Sequence, residues 1–537
     1  MQPAPMLLRR RSIACVLVTA LCTGTAAAND DTAARELRHD AAQRLRVMSF
    51  NILYGGDDYD LASGGFCAEP DACGETLVRV IDVIRAARAD VVGLQEPERN
   101  TARIARALGW YASPRAHVIS RFPIIDPPGA EGRYVFLETA PGRVVAVGNV
   151  HLPSDPYGPY AVRDGAALDA VLELENTTRL PAIVEPIRVF RGLAARRIPA
   201  FLTGDFNSPS HRDWTVAVTS TRPEVPYAID WPVGRALANA GIVDSFRAVH
   251  PDPVLNPGFT WTPGGPEAAT DEVFDRIDWV LGTGPMRAIA STVVGEPGAV
   301  DARITVPAPY PSDHRAVLSV FDAWPAPMPV LIAVSERALD RGAPLLLTYR
   351  GEGRRGETVV FRRQAGQPAP GAIVHRVRVP HADDGAPHGR IRTTTAPLPP
   401  GAYDVQLRSS SGRVLATTPL WIYRPGAAPT LATDAAQYAV GAPIRVSFTR
   451  APGMALDWVS IFRCDDAGCA EPSAFLVYAY TGNAIEGRVV IDAGATAGSE
   501  AWPLPPGRYV ARLLADDGYR PVAETRVFEI GAFQEPE

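Results

Sequence analysis

The stretch Pro199-Ala200-Phe201-Leu202-Thr203-Gly204-Asp205-Phe206-Asn207 runs from apolar residues straight into an aspartate and an asparagine. An apolar run of this length, closed by polar residues, reads as a buried strand whose end delivers chemistry. Asp205 and Asn207 are two apart, so on an extended chain their side chains face the same side. Five more segments have the same form. Ser49-Phe50-Asn51 follows Arg46-Val47-Met48, Leu94-Gln95-Glu96 follows Asp90-Val91-Val92-Gly93, and Asn149-Val150-His151 follows Val144-Val145-Ala146-Val147. Arg276-Ile277-Asp278 follows Val273-Phe274, and Ser312-Asp313-His314 follows the loop ending at Pro311. Metal-assisted attack on a phosphate needs oxygen ligands, a base and a cationic or donor group at one point. Strands ending in Asn, carboxylates and His can build such a point.

Between these segments the chain alternates strand and helix signals. In Thr76 to Ala87, Leu77, Val80, Ile81 and Ile84 recur at helical spacing. Residues 163 to 197 read as a long helical stretch interrupted at Pro181. Residues 45 to 322 are therefore expected to form an α/β layered domain.

The six segments, in this order, resemble the endonuclease/exonuclease/phosphatase superfamily, the deoxyribonuclease-I-like fold, over about Leu45 to Asp322. The resemblance implies a four-layer α/β-sandwich and a divalent cation, Mg²⁺ first, with Mn²⁺ or Ca²⁺ as alternatives. It implies Asn51 and Glu96 as metal ligands, with Asp313 near the metal. It casts Asp205 as the group that orients or deprotonates the attacking water, and Asn207 as a hydrogen-bonding partner of phosphate and nucleophile. His314 would stabilise the phosphorane or assist proton transfer, Asp278 would hold its tautomer, and His151 would contact the phosphate or leaving group. Histidine suits such work because its unperturbed pKa lies near neutrality. Ser120-Arg121-Phe122-Pro123-Ile124 also resembles a family segment, structural first, with phosphate contact left open for Arg121. Tyr157 and Tyr160, just after His151, would stack a base or sugar or pack on their own domain.

Past residue 322 the character changes. Ala323-Trp324-Pro325-Ala326-Pro327-Met328-Pro329 reads as a stiff linker. Beyond it strand alternation dominates, and a repeat is visible. Gly342-Ala343-Pro344 recurs as Gly441-Ala442-Pro443, and Pro397-Leu398-Pro399-Pro400-Gly401-Ala402-Tyr403 recurs as Pro503-Leu504-Pro505-Pro506-Gly507-Arg508-Tyr509. Two all-β sandwiches are expected, at 330–423 and 430–531, with a break near Arg424-Pro425-Gly426. Asp457-Trp458-Val459-Ser460-Ile461 looks like immunoglobulin-like modules attached to other hydrolases. Deleting residues 330 to 537 is expected to spare activity on a soluble substrate.

A length of 537 residues calls for two to four domains. Arg9-Arg10-Arg11, the small apolar run Ser12 to Leu21, and Thr25-Ala26-Ala27-Ala28 read as a signal peptide over 1–28. An exported chain, periplasmic or extracellular, is expected. Four cysteines then remain, and local disulfides Cys67–Cys73 and Cys464–Cys469 are the natural reading in an oxidising compartment.

The formal net charge is −6 and every basic residue is Arg, which argues modestly against a long nucleic-acid footprint. Phe274-Asp275-Arg276-Ile277-Asp278 is only a partial likeness to an inositol-phosphatase segment. The leading reading is an exported Mg²⁺-dependent phosphoesterase, phosphodiesterase or nuclease action ahead. A lipid or small-molecule phosphatase of phosphoinositide or sphingomyelin type is second. A surface protein that binds through its tail, with an idle head, is the rival of another class. The tail is left a surface or a ligand to bind, and no stable protein partner is inferred.

Overall fold

Strands buried on both faces set the architecture. Val91–Gln95 and Ala200–Asp205 are buried at every position, as expected for parallel strands covered on both sides. The computed structural model describes residues 42–57, 59–60, 65–66, 74–263, 272–380, 386–465, 468–470, 474–516 and 518–531. The signal-peptide reading and the Cys67–Cys73 pairing lie outside these residues. From Gln43 onward the chain forms one unit.

Two seven-stranded sheets make the first half. In one, Gln43–Asn51 pairs parallel with Val91–Gln95 and antiparallel with Ala316–Ala323. In the other, Ala200–Asp205 pairs parallel with Arg143–His151 and antiparallel with Asp278–Thr283. Alternate residues of both sheets meet in one core: Val47, Val91, Val118 and Phe321 from the first, Val135, Val147, Phe201 and Val280 from the second. The other face of the first sheet is covered by helices Gly74–Ala87 and Thr101–Leu108. Leu77, Val80, Ile81 and Ile84 are all buried there, as their spacing predicts. The outer face of the second sheet is covered by Leu180–Ala195 and Pro232–Asn239. Pro181 sits in the first turn of its helix, where a missing N–H costs nothing. The result is helix, sheet, sheet, helix: a deoxyribonuclease-I-like α/β fold.

The sheets approach closely at Gly93, where a Cβ would stand 1.8 Å from Thr203 Oγ1 and 2.5 Å from Asn149 Oδ1. Asn149 fills the space a side chain would take. It donates to the Leu94 carbonyl (2.7 Å), while its own Oδ1 accepts from Gln95 Nε2 (2.5 Å) and Thr203 Oγ1 (2.8 Å).

The second half is all β. Leu331–Val334, Pro344–Arg350 and His388–Thr394 form a three-stranded sheet against a five-stranded one over a core with Leu347, Phe361, Tyr403 and Leu420. A second pair of sheets encloses Val446, Ile461, Tyr509 and Leu513. The sequence repeat is structural. Tyr403 and Tyr509 are both fully buried, and each donates its hydroxyl to a carbonyl four residues back, Pro399 (2.5 Å) and Pro505 (2.6 Å). Cys464 and Cys469 are bridged.

The stretch 323–329 is not the free spacer its prolines suggest. Ala326 and Pro327 pair with Val144 and Arg143, and Met328 N–H donates to the Gly142 carbonyl (2.8 Å). Met328 is 1% exposed and shares a core with Phe136, Val144 and Phe190 of the head and Leu331 and Ala333 of the tail. Met328→Ala should therefore destabilise the whole chain by about 2–3 kcal/mol. A denaturant midpoint unchanged from wild type would show that the segment is a mere tether.

Candidate active site

Strand register builds the site. Asp205 stands opposite Asp278 on one side and His151 on the other, so three functional residues form a row across the ends of three adjacent strands. On the facing sheet, Asn51 stands opposite Gln95, one residue before Glu96. The loop Ser312-Asp313-His314 is tied to the Asn51 strand by Ser312 Oγ, which donates to the Asn51 carbonyl (2.7 Å) and accepts from His314 N–H (3.1 Å).

These residues converge on one carboxylate oxygen. Asp205 Oδ2 lies 3.6 Å from His151 Nε2 and 3.6 Å from His314 Nε2, and accepts from Asn51 Nδ2 (3.1 Å). Asn51 Nδ2 also donates to Glu96 Oε1 (3.0 Å), and Glu96 Oε2 accepts from Tyr54 N–H (3.0 Å). His314 Nδ1 is 2.8 Å from Asp278 Oδ2. Asp278 is wholly buried, its backbone N–H held by Thr260 Oγ1 (3.1 Å).

Electrostatics follow from burial. Burial works against a charged imidazole, yet Asp278, and then Asp205, hold His314 well above the usual histidine range. Burial pushes Asp278 up, opposed by the His314 charge. Burial also pushes Asp313 up to about 6, with Glu96 adding to the rise and His314 opposing it.

The residues fit a hard divalent cation. Glu96, Asp205 and Asp313 bring carboxylate oxygens to the strand ends. Asn51 turns its amide nitrogen to Glu96 and Asp205, and its Oδ1 accepts from Leu53 N–H (3.1 Å), so Asn51 would have to turn its amide over to offer an oxygen to a cation. Among the described residues, the ligating atoms of Asp205, Asp278 and His314 lie within 4.8 Å of one another. Within that trio the His314–Asp278 hydrogen bond already occupies one ring nitrogen.

One expectation needs correction, and two readings left open are narrowed. Asn207 reaches the site by a turn, not by strand alternation. Its φ is 47°, its N–H is bound by Asp205 Oδ1 (2.9 Å), and its amide is anchored on the Leu152 carbonyl (2.9 Å). Arg121 lies at the opposite end of the sheet. Its strand runs antiparallel to Val91–Gln95 with Ser120 opposite Val91, so Arg121 pairs with Asp90 (3.3 Å) far from Glu96. Tyr157 is buried and donates to Asp275 Oδ2 (3.2 Å), so its ring is part of the wall rather than a stacking surface. Tyr160 is half-buried, bound to Glu272 Oε1 (2.9 Å), with Arg163 over its ring.

The neighbours that sequence reading missed are Thr260, Trp261, Glu272 and Asp275. Trp261 pairs through its backbone with Asp275 and His314, and its ring centroid is 4.9 Å from that of His314. Trp261 Nε1 donates to Glu272 Oε1 (3.1 Å). Asp275, 1% exposed, accepts from Trp214 Nε1 (2.8 Å) and Tyr157. The only signal was Thr260-Trp261-Thr262, too short to carry a period. Arg276, in the partial inositol-phosphatase likeness, is buried against Asp213 and Asp244.

Burial pushes Asp275 up to about 7, against the lowering influence of Arg222. An acid whose folded pKa is raised holds its proton longer than the unfolded chain does. Its contribution is thus full near pH 4 and is lost as pH rises towards about 7. Asp275→Asn should lower stability at pH 5 yet flatten the decline between pH 5 and 8. Melting curves that keep the wild-type slope would show that Asp275 does not titrate in this range.

The Endonuclease/Exonuclease/phosphatase family profile matches residues 48–314. An uncharacterised protein of Caenorhabditis elegans, F14F9.5, is 29% identical over 309 residues, covering 52% of this chain and 92% of its own length. Among solved structures, an endonuclease/exonuclease/phosphatase from Beutenbergia cavernae aligns at 20% identity over 71% of this chain and all of its own, with a TM-score of 0.33. An AP endonuclease from Archaeoglobus fulgidus aligns at 16% identity over 52% of this chain and all of its own, also with a TM-score of 0.33. Through residues 48–314, which carry the whole row of strand-end residues, the chain belongs to the endonuclease/exonuclease/phosphatase superfamily of metal-dependent phosphoric ester hydrolases.

Proposed function

We propose that the chain is an exported, Mg²⁺-dependent phosphodiesterase acting on nucleic acid or a related phosphodiester. The observation that carries the reading is the single Asp205 oxygen flanked at 3.6 Å by two imidazoles, one of them fixed by a buried aspartate. Two positive or hydrogen-donating rings about one carboxylate suit a tetrahedral anion undergoing attack better than they suit passive binding. The tail modules are read as immunoglobulin-like, on the support of their paired buried tyrosines.

In this reading Asp205 Oδ2 accepts the proton of a water as its oxygen bonds to phosphorus, and the phosphorus–oxygen bond to the leaving group breaks on the far side. Asp278 accepts from His314 Nδ1–H, so that Nε2 faces the phosphate. The charge that Asp278 and Asp205 hold on His314 offsets the negative charge gathering on the phosphate oxygens. His151, across Asp205 from His314, faces the leaving oxygen, and Asn207 orients the phosphate. Glu96, Asn51 and Asp313 would hold the divalent cation, whose chemistry when bound is Lewis-acid neutralisation of phosphate charge. No covalent enzyme intermediate is required.

The deciding experiment is hydrolysis by the purified chain with Mg²⁺ or EDTA. The substrates are plasmid DNA, RNA, bis-p-nitrophenyl phosphate, sphingomyelin and phosphoinositides. Phosphodiester cleavage that EDTA abolishes is expected; exclusive turnover of a lipid or of a monoester would replace this reading with the lipid or small-molecule phosphatase. Asp278→Asn should lower kcat by about 10²–10⁴ with KM little changed, because the tautomer of His314 is released. Wild-type turnover in that variant would remove the His314–Asp278 pair from the chemistry. Glu96→Gln removes one charged ligand, so the Mg²⁺ midpoint should rise by about tenfold or more, at least the scale seen when a supporting partner of a ligand is lost. An unshifted metal titration would strike Glu96 from the ligand set.

A further inference from the structure

The second C-terminal sandwich sits at the catalytic end of the head. His117 marks the place: its carbonyl accepts from Leu94 N–H (2.9 Å), so it stands beside the strand end that leads into Glu96. Asp516 of the tail is in contact with His117 Nε2, and both are buried. Arg115 Nε donates to the Gly453 carbonyl (2.6 Å). A Cβ on Gly132, just before the strand Val135–Ala140, would stand 2.7 Å from Asn483 Oδ1. A Cβ on Gly518 would stand 3.3 Å from the Glu98 carboxyl and 3.1 Å from the Ala515 carbonyl. One residue gathers the tail's side of this junction. Asp457 accepts from Gly453 N–H (2.7 Å), Met454 N–H (3.0 Å) and Asp516 N–H (3.1 Å), so the loops touching Arg115 and His117 are fixed to each other.

The backbone on both sides is strained. Glu96, Glu98, His117 and Asp516 all have positive φ, at 52°, 46°, 49° and 61°. Left-handed conformations at non-glycine residues persist only where the surroundings over-determine them. On one side, Gly55 N–H binds the Glu96 carbonyl (2.8 Å) and Asn100 Nδ2 binds the Gly55 carbonyl (2.9 Å). On the other side, Gly518, more than four hundred residues later in the chain, lies against the Glu98 carboxyl.

We infer that the second tail module is a clamp on the Glu96 loop, and that Asp516 and Gly518 are positioning residues for the metal-binding carboxylate. This rests on the phosphoesterase reading of Glu96. It replaces the idea of a detachable tail. The tail forms one wall of the cleft rim, and the geometry of Glu96 is set partly from it.

The test uses the full-length chain. Gly518→Val puts branched carbon against Glu98 and Ala515. Asp516→Asn keeps a residue type that tolerates positive φ but removes the charge facing His117. Mg²⁺ binding is measured by calorimetry, and hydrolysis of bis-p-nitrophenyl phosphate is followed across Mg²⁺ concentration, with circular dichroism and melting as fold controls. Gly518→Val should weaken Mg²⁺ binding about tenfold, the scale expected when a supporting contact of a ligand is lost. Its kcat at saturating Mg²⁺ should stay near wild type, and Asp516→Asn should move the same way by less. A purely structural role would lower the melting temperature and leave Mg²⁺ affinity alone. Wild-type affinity in a folded Gly518→Val chain overturns the clamp. If that variant does not fold, Asp516→Asn decides alone, weakened binding supporting the clamp and wild-type binding overturning it. Failure of the phosphoesterase reading looks different: the unmodified chain would bind no Mg²⁺ or hydrolyse nothing, and the clamp would fall with it.

Discussion

The site depends on how closely two sheets can approach, and that distance is set by Gly93, Asn149 and Thr203. With any side chain at Gly93, Thr203 Oγ1 and Asn149 Oδ1 would have to move. The amide of Asn149 replaces apolar filler with three hydrogen bonds, to Leu94, Gln95 and Thr203. Buried polar groups of this kind stabilise only when each is satisfied. Here they are, and the polar bridge lies one or two residues short of Glu96, His151 and Asp205. Asn51 can then donate across the gap to Asp205 on the facing sheet. The cleft is the place where two packed sheets stop being held by valine and begin to be held by amides.

Crowding carboxylates into that gap has an electrostatic cost. Asp205, Asp278 and Asp313 are brought together with Glu96 in poor contact with water, and burial raises Asp278 and Asp313. Something positive must compensate. The chain supplies the imidazolium of His314 and the amide hydrogens of Asn51. A divalent cation held by these carboxylates would supply the rest, and the repulsion between them would then favour its binding. Tyr157, Trp214 and Asp275 form a further shell, linking the loop after His151 to the segment where Trp261 lies against His314.

Much of this was legible in the sequence because strands advertise themselves. An apolar run and the polar residue that ends it are contiguous, so Asn51, Glu96, His151 and Asp205 could be placed at strand ends without a structure, whereas Asp278 opens its strand, Asp278–Thr283, instead of closing the Val273-Phe274 run. Register then brought His151, Asp205 and Asp278 level. Whether Arg121 reaches phosphate stayed open because direction is not written in the same way. A short antiparallel strand looks the same whichever end faces the site, and pairing of Ser120 with Val91 puts Arg121 at the wrong end. Trp261 and Asp275 were hidden for another reason: an isolated bridge carries no period, and its partners are recognised only through tertiary contacts.

The tail shows the same limit in a larger form. Its repeat was visible, because a proline turn followed by tyrosine must recur wherever that corner is built. Its attachment was not. Prolines at 325, 327 and 329 signal stiffness, and stiffness is equally compatible with a spacer and with an edge strand whose N–H groups are not needed. Pairing of Ala326 with Val144 and burial of Met328 decide for the edge strand. Once the first module is fastened there, a second module one repeat further on can reach back to the head. Of the two copies, it is the one that meets the head beside Glu96. Gly453, Asp516 and Gly518, in the turns between its strands, make that contact. Loops of a repeat are free to diverge while its core tyrosines are not, so a duplicated fold can turn one copy into a strut and the other into part of the cleft.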